Sequence, residues 1–141
     1  MSKYEVYDKP NITKELLNTI KAGDLIKVNT WKKPMKVIAV SENFFIMWKP
    51  YFGTWSYSIC EKNKRGTSYN LIYRPNRGWM EDEFVCGPDN YVFGKYDYND
   101  VDECQDALVE LESGEMEVST KRGLGIWHLE IKRGKACKTI N

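Results

Sequence analysis

The sequence predicts an α+β domain built around a strongly curved antiparallel sheet, in the form of a small barrel, with two short helices and a C-terminal hairpin. Three observations support this. From Leu25 onward apolar residues recur with a period of two in short segments. Polar turns rich in Gly, Asn, Pro and Lys separate those segments. Helical spacing occurs in two stretches alone, around residues 12–20 and 100–113.

Taken in order, Ile12, Leu16, Leu17 and Ile20 define a short one-sided helix that Thr13 or Asn11 can cap and Gly23 can close. Ile26 and Val28 then alternate with Lys27 and Asn29 in a first strand. Met35 to Val40 is apolar on both faces, and Ser41-Glu42-Asn43 turns tightly into Phe44 to Trp48. Trp55, Tyr57 and Ile59 alternate with Ser56, Ser58 and Cys60. After the polar turn Lys62 to Gly66, the residues Tyr69, Leu71 and Tyr73 mark a return strand, forming a hairpin. Pro75-Asn76-Arg77-Gly78 supplies another turn, and a short strand is expected around Tyr91 to Lys95. In Asp100 to Ser113 one stripe holds Val101, Cys104, Leu108 and Leu111, Asp100 and Glu103 resemble a capping box, and Gly114 stops the helix. Met116 and Val118 are expected to begin a hairpin that turns at Lys121-Arg122-Gly123 and returns with Trp127, Leu129 and Ile131 facing inward.

The 141 residues fit one domain, residues 1–141, with 135–141 as a loose tail. A hydrophobic share of 42% against 29% charged residues argues for an ordered core rather than a disordered chain. The longest apolar run, Phe44 to Trp48, is far short of the ~20 residues that span a bilayer, and no charged-then-apolar leader opens the chain. A soluble cytoplasmic protein with no membrane partner is therefore expected. Ile26, Val37, Ile46, Trp55, Leu108, Leu111, Trp127 and Leu129 are expected to share one core.

The segment Gly23-Asp24-Leu25-Ile26-Lys27-Val28, followed by Met35 to Val40 and Phe44 to Trp48, resembles the first three strands of SH3-like barrels, including the KOW type of ribosomal and transcription proteins. The resemblance covers residues 23–49 and implies a binding module rather than a catalytic centre.

Charge is sorted along the chain. Residues 1–80 carry a balance of +8, residues 81–118 of −12 and residues 119–141 of +5, which together give the net +1. Such blocks would attract an anionic partner to the first part and a cationic partner to the second, if they form separate faces. In the first block Trp31, Lys32, Lys33, Trp48, Lys49, Tyr51, Phe52, Lys62, Lys64, Arg65, Arg74 and Arg77 combine cations, which displace phosphate counterions, with aromatic planes on which unpaired bases stack. The leading expectation is a non-enzymatic, nucleic-acid-associated module that prefers single strands. The alternative is an inhibitor or regulator that binds a basic protein, or imitates DNA, through Asp102, Glu103, Asp106 and Glu110.

Catalytic and metal chemistry find little support. Cys60, Cys86, Cys104 and Cys137 contain no closely spaced ligand pair, His128 is the single histidine, and buried free thiols are expected. Asp97-Tyr98-Asn99-Asp100 lacks the glycine and glutamate of a calcium loop. Gly123-Leu124-Gly125 lacks the third glycine of a dinucleotide loop, and Glu81, Asp82 and Glu83 are adjacent loop acids without a placed partner. No cofactor is expected.

Overall fold

The computed structural model describes residues 3–51, 54–67, 71–76, 78–81, 85–86, 101–120 and 125–134. Along the chain these form β1 (Glu5–Asp8), α1 (Lys14–Leu17), β2 (Leu25–Val28), β3 (Met35–Val40), β4 (Phe44–Tyr51), β5 (Thr54–Glu61) and β6 (Gly66–Thr67). They continue as β7 (Leu71–Arg74), β8 (Gly78–Glu81), β9 (Val85–Cys86), α2 (Val101–Ser113), β10 (Glu117–Val118) and β11 (His128–Lys132). The fold is therefore mixed α+β and dominated by strands.

One sheet runs β1-β11-β2-β3-β4-β5-β6 with β9 also paired to β5, and a second runs β10-β7-β8; every pairing is antiparallel. The larger sheet is not closed into a barrel. A bridge joins Gly66 of β6 to Gly125, just before β11, and the Ile126 amide donates to the Arg65 carbonyl beside it at 2.7 Å. Among the described residues no helix is long and apolar enough to cross a membrane.

Both faces of β3 are apolar because the strand lies between two cores. Val37, Phe45, Met47 and Cys60 face a cluster with Ile12, Leu17, Ile20, Ile26, Val28, Met35, Ile126, Leu129 and Ile131. Ile38, Ala39, Ile46 and Ile59 face the other way, against Cys104, Ala107, Leu108 and Leu111 of α2 and against Met116. An irregularity in the β3–β4 register between Val37 and Ala39 lets consecutive buried residues serve both sides. The expected single core is thus two. Ile26, Val37 and Leu129 belong to the first, whereas Ile46, Leu108 and Leu111 belong to the second. Trp127 is 46% exposed and belongs to neither, and the Trp55 side chain lies outside the described residues.

The helices follow their sequence signals to different extents. The Thr13 hydroxyl caps α1 by accepting from the Leu16 amide at 3.1 Å, but the helix ends at Leu17 and Ile20 reaches the core from a turn. In α2 the stripe Cys104, Leu108, Leu111 is buried at helical spacing, and Gly114, with φ of +88°, stops the helix in the left-handed region that glycine adopts without penalty. Asp100 lies outside the described residues, as do the expected strand Tyr91 to Lys95 and the tail 135–141.

Two pairings depart from expectation. The C-terminal hairpin is absent among the described residues, its expected turn Lys121 to Gly123 lying outside them: Glu117 and Val118 pair with Tyr73 and Ile72, while β11 inserts between β1 and β2. Leu129 and Ile131 are each fully buried in the first core, so this register satisfies the apolar face of β11. The turn after β5 leads to the two-residue β6, and β7 leaves to join β8 in the smaller sheet.

Candidate nucleic-acid interface

At one end of the larger sheet Asn29 joins two segments. It leaves β2 with φ of +59°, a left-handed conformation that Asn tolerates better than most residues. Its backbone amide donates to the His128 carbonyl at 2.7 Å. Its side-chain Nδ2 donates to the Gly125 carbonyl at 2.8 Å, and its Oδ1 accepts from the amides of Trp127 at 2.9 Å and His128 at 3.3 Å. The Trp31 amide donates to the Val28 carbonyl at 3.0 Å, which starts the loop carrying Lys32 and Lys33. From the other side the Lys9 amide donates to the Trp127 carbonyl at 3.2 Å.

These bonds bring Trp31, Lys32, Lys33, Trp127 and Lys9 to one end of the sheet. Trp31 is half-buried against the first core, whereas Trp127 and the three lysines are exposed. None of the three ammonium groups forms an ion pair among the described residues. Trp127 and Lys9 escape sequence reasoning because they are 96 and 22 positions from Trp31; Asn29 in a turn after an apolar strand was the available signal.

The remaining basic residues divide. Lys62, expected on the surface, is buried, and its Nζ donates to the Ser41 carbonyl at 2.8 Å and to Asn18 Oδ1 at 3.1 Å. Burial pushes its pKa down from the ordinary lysine value. Arg65 is half-buried at φ of +50° and donates from Nη1 to the Ile12 carbonyl at 2.9 Å, holding the turn rather than facing a ligand. Lys64 is exposed with Glu61 3.7 Å away. Arg74 pairs with Glu110 of α2 at 3.0 Å. Lys49 and Tyr51 are backbone positions of β4 whose side chains lie outside the described residues, and Arg77 lies outside them entirely.

Two acids of the helix are committed to the fold. Besides Glu110, Glu112 accepts from the Ser41 hydroxyl at 2.6 Å, the Asn43 amide at 2.8 Å and Asn43 Nδ2 at 2.9 Å, fastening α2 to the β3–β4 turn. Burial works to raise its pKa, but the Ser41 and Asn43 bonds outweigh that and leave it below the ordinary carboxylate value. Asp106 is exposed; the side chains of Asp102 and Glu103 lie outside the described residues. The oppositely charged blocks therefore partly neutralise each other at the β7–α2 contact.

His128 lies beside the interface but serves as a clip. Its Nδ1 is 2.6 Å from Asp8 Oδ1 in β1, and its Nε2 is 2.8 Å from Glu130 Oε2, while Glu130 Oε1 lies 4.0 Å from Lys27 Nζ. Bonds to Glu130 and then Asp8 raise the imidazole pKa. The pairing thus contributes full stability below the unfolded value of roughly 6.5, and that contribution is lost as pH rises through the elevated folded value. Thermal melts from pH 6 upward should show wild type losing stability relative to His128→Gln; parallel profiles would mean the clip carries no net stabilisation.

No protein-family model, no curated protein and no solved structure matches this chain.

Proposed function

We propose that this chain is a small non-enzymatic binding module that holds single-stranded nucleic acid at the Asn29 end of its larger sheet. The sheet's curl, of SH3-like kind, supplies the scaffold. The observation that carries the reading is the Asn29 junction, which puts the half-exposed Trp127 at the same end of the sheet as Trp31, Lys32 and Lys33. Indole faces accept unpaired bases at about 1 to 3 kcal/mol per stacked base, and the lysines displace phosphate counterions. The basic-protein alternative is less favoured, because Glu110, one of the four acids it relies on, is already engaged by Arg74.

Titration of a labelled single-stranded oligonucleotide across salt concentrations tests this. If Lys9, Lys32 and Lys33 each neutralise one phosphate, log K should fall with log salt at a slope of about −2. The double variant Lys32→Glu, Lys33→Glu should reduce that slope to below about −1 in magnitude and weaken binding at least about tenfold at low salt. Absence of binding at low salt, or indifference to both substitutions, would refute the proposal.

A further inference from the structure

The smaller sheet has two unlike faces. On one, Val118 packs against the second core and Arg74 reaches Glu110. On the other, Glu117, Tyr73 and Trp79 form one row, since Tyr73 is the direct cross-strand partner of both Glu117 and Trp79. Trp79 is 54% exposed and Tyr73 half-buried; their ring centroids lie 5.4 Å apart with planes tilted by 53°. Glu117 is exposed and, among the described residues, accepts no hydrogen bond and forms no ion pair.

We propose that this row is a docking surface for a lysine or arginine side chain of an extended basic protein segment. Tilted rings leave an open aromatic corner whose faces carry negative quadrupole potential and so attract a cation. The adjacent strand, about 4.8 Å away, adds the full negative charge of Glu117 on the same side. Charge complementarity selects the occupant. Arg74, the neighbouring cation, belongs to the opposite face and is held by Glu110. An anionic occupant would meet an uncompensated carboxylate. A Tyr–Trp pair also steadies the β7–β8 hairpin, but that role does not require Glu117 or an exposed indole.

The surface is independent of the nucleic-acid interface, being built on other strands and of opposite sign. The probe is a hexa-arginine peptide titrated by calorimetry at low salt into the full chain, with hexaglutamate as control. Hexa-arginine should bind and hexaglutamate should not. Trp79→Ala should weaken binding about tenfold and Glu117→Gln about threefold, each far beyond the effect of Asp106→Asn on the exposed side of α2. Glu117→Gln alters an exposed side chain, so it keeps the test valid if Trp79→Ala disturbs the hairpin. Oligonucleotide affinity should be unchanged in both variants. No hexa-arginine binding, equal affinity in wild type and Glu117→Gln, or an equal loss in Asp106→Asn would overturn the proposal.

Discussion

Asp24→Ala is expected to destabilise the fold by about 3 kcal/mol or more, because it removes a buried acceptor on which two backbone amides depend. Asp24 is 1% exposed. Its Oδ2 accepts from the Lys21 amide at 2.9 Å and its Oδ1 from the Gly134 amide at 2.8 Å, with Arg133 Nη1 3.5 Å away. A buried donor left orphaned costs roughly 1 to 3 kcal/mol, and these two amides are partly buried. The joint has no slack: a Cβ at Gly134 would lie 2.1 Å from the Gly23 carbonyl oxygen. Asp24→Asn should recover part of the loss, since its amide retains one acceptor but turns a donor toward the second N–H. Urea denaturation measures both variants. A midpoint shift for Asp24→Ala no larger than that of an exposed control such as Asp106→Ala would contradict this role.

Leu108→Ala is expected to cost about 2 to 3 kcal/mol, in the lower part of the range for buried leucines. Leu108 is 4% exposed and joins α2 to Ile38, Ala39 and Ile46. It also borders an open cleft of about 480 Å³ lined in part by Val40, Gln105 and Val109, so water and neighbouring side chains can partly fill the space left by truncation. Val109→Ala, at a position 66% exposed on the same helix, should stay within about 0.5 kcal/mol. Denaturation midpoints of the pair compare the two directly. Equal shifts would mean that α2 does not bury the stripe Cys104, Leu108, Leu111 against the sheet.

Local patterns were legible wherever one element decides its own environment. The spacing of Cys104, Leu108 and Leu111 and the stop at Gly114 outlined α2, and the apolar run from Met35 to Val40 already implied a strand covered on both sides. In the sequence Gly23 marks the close of the first helix, but the partner of the adjacent Asp24, Gly134, is 110 positions away. Properties that depend on distant partners were not legible. Lys62 sits in a polar turn and reads as solvated, yet Asn18 and Ser41 surround its ammonium from other parts of the chain. Edge strand β1, Glu5-Val6-Tyr7-Asp8, turns Tyr7 toward the first core and carries too little apolar character to register as a strand. Trp127 alternates correctly with Leu129 and Ile131, but the Asn29 bonds shape the backbone before β11 so that Ile126 is buried and Trp127 is not. Of the candidate site, Trp31, Lys32 and Lys33 were visible as a local cluster. Lys9 and Trp127 required the topology.

Binding at the Asn29 end of the sheet can be read from backbone and indole NMR shifts on titration with a single-stranded oligonucleotide. The largest changes should fall on Trp31, Lys32, Lys33, Trp127 and Lys9, diminish as salt rises, and leave Lys62, Arg65 and Trp79 unmoved. Changes centred on the Arg74–Glu110 contact or on the Tyr73–Trp79 row, or no changes at low salt, would contradict it.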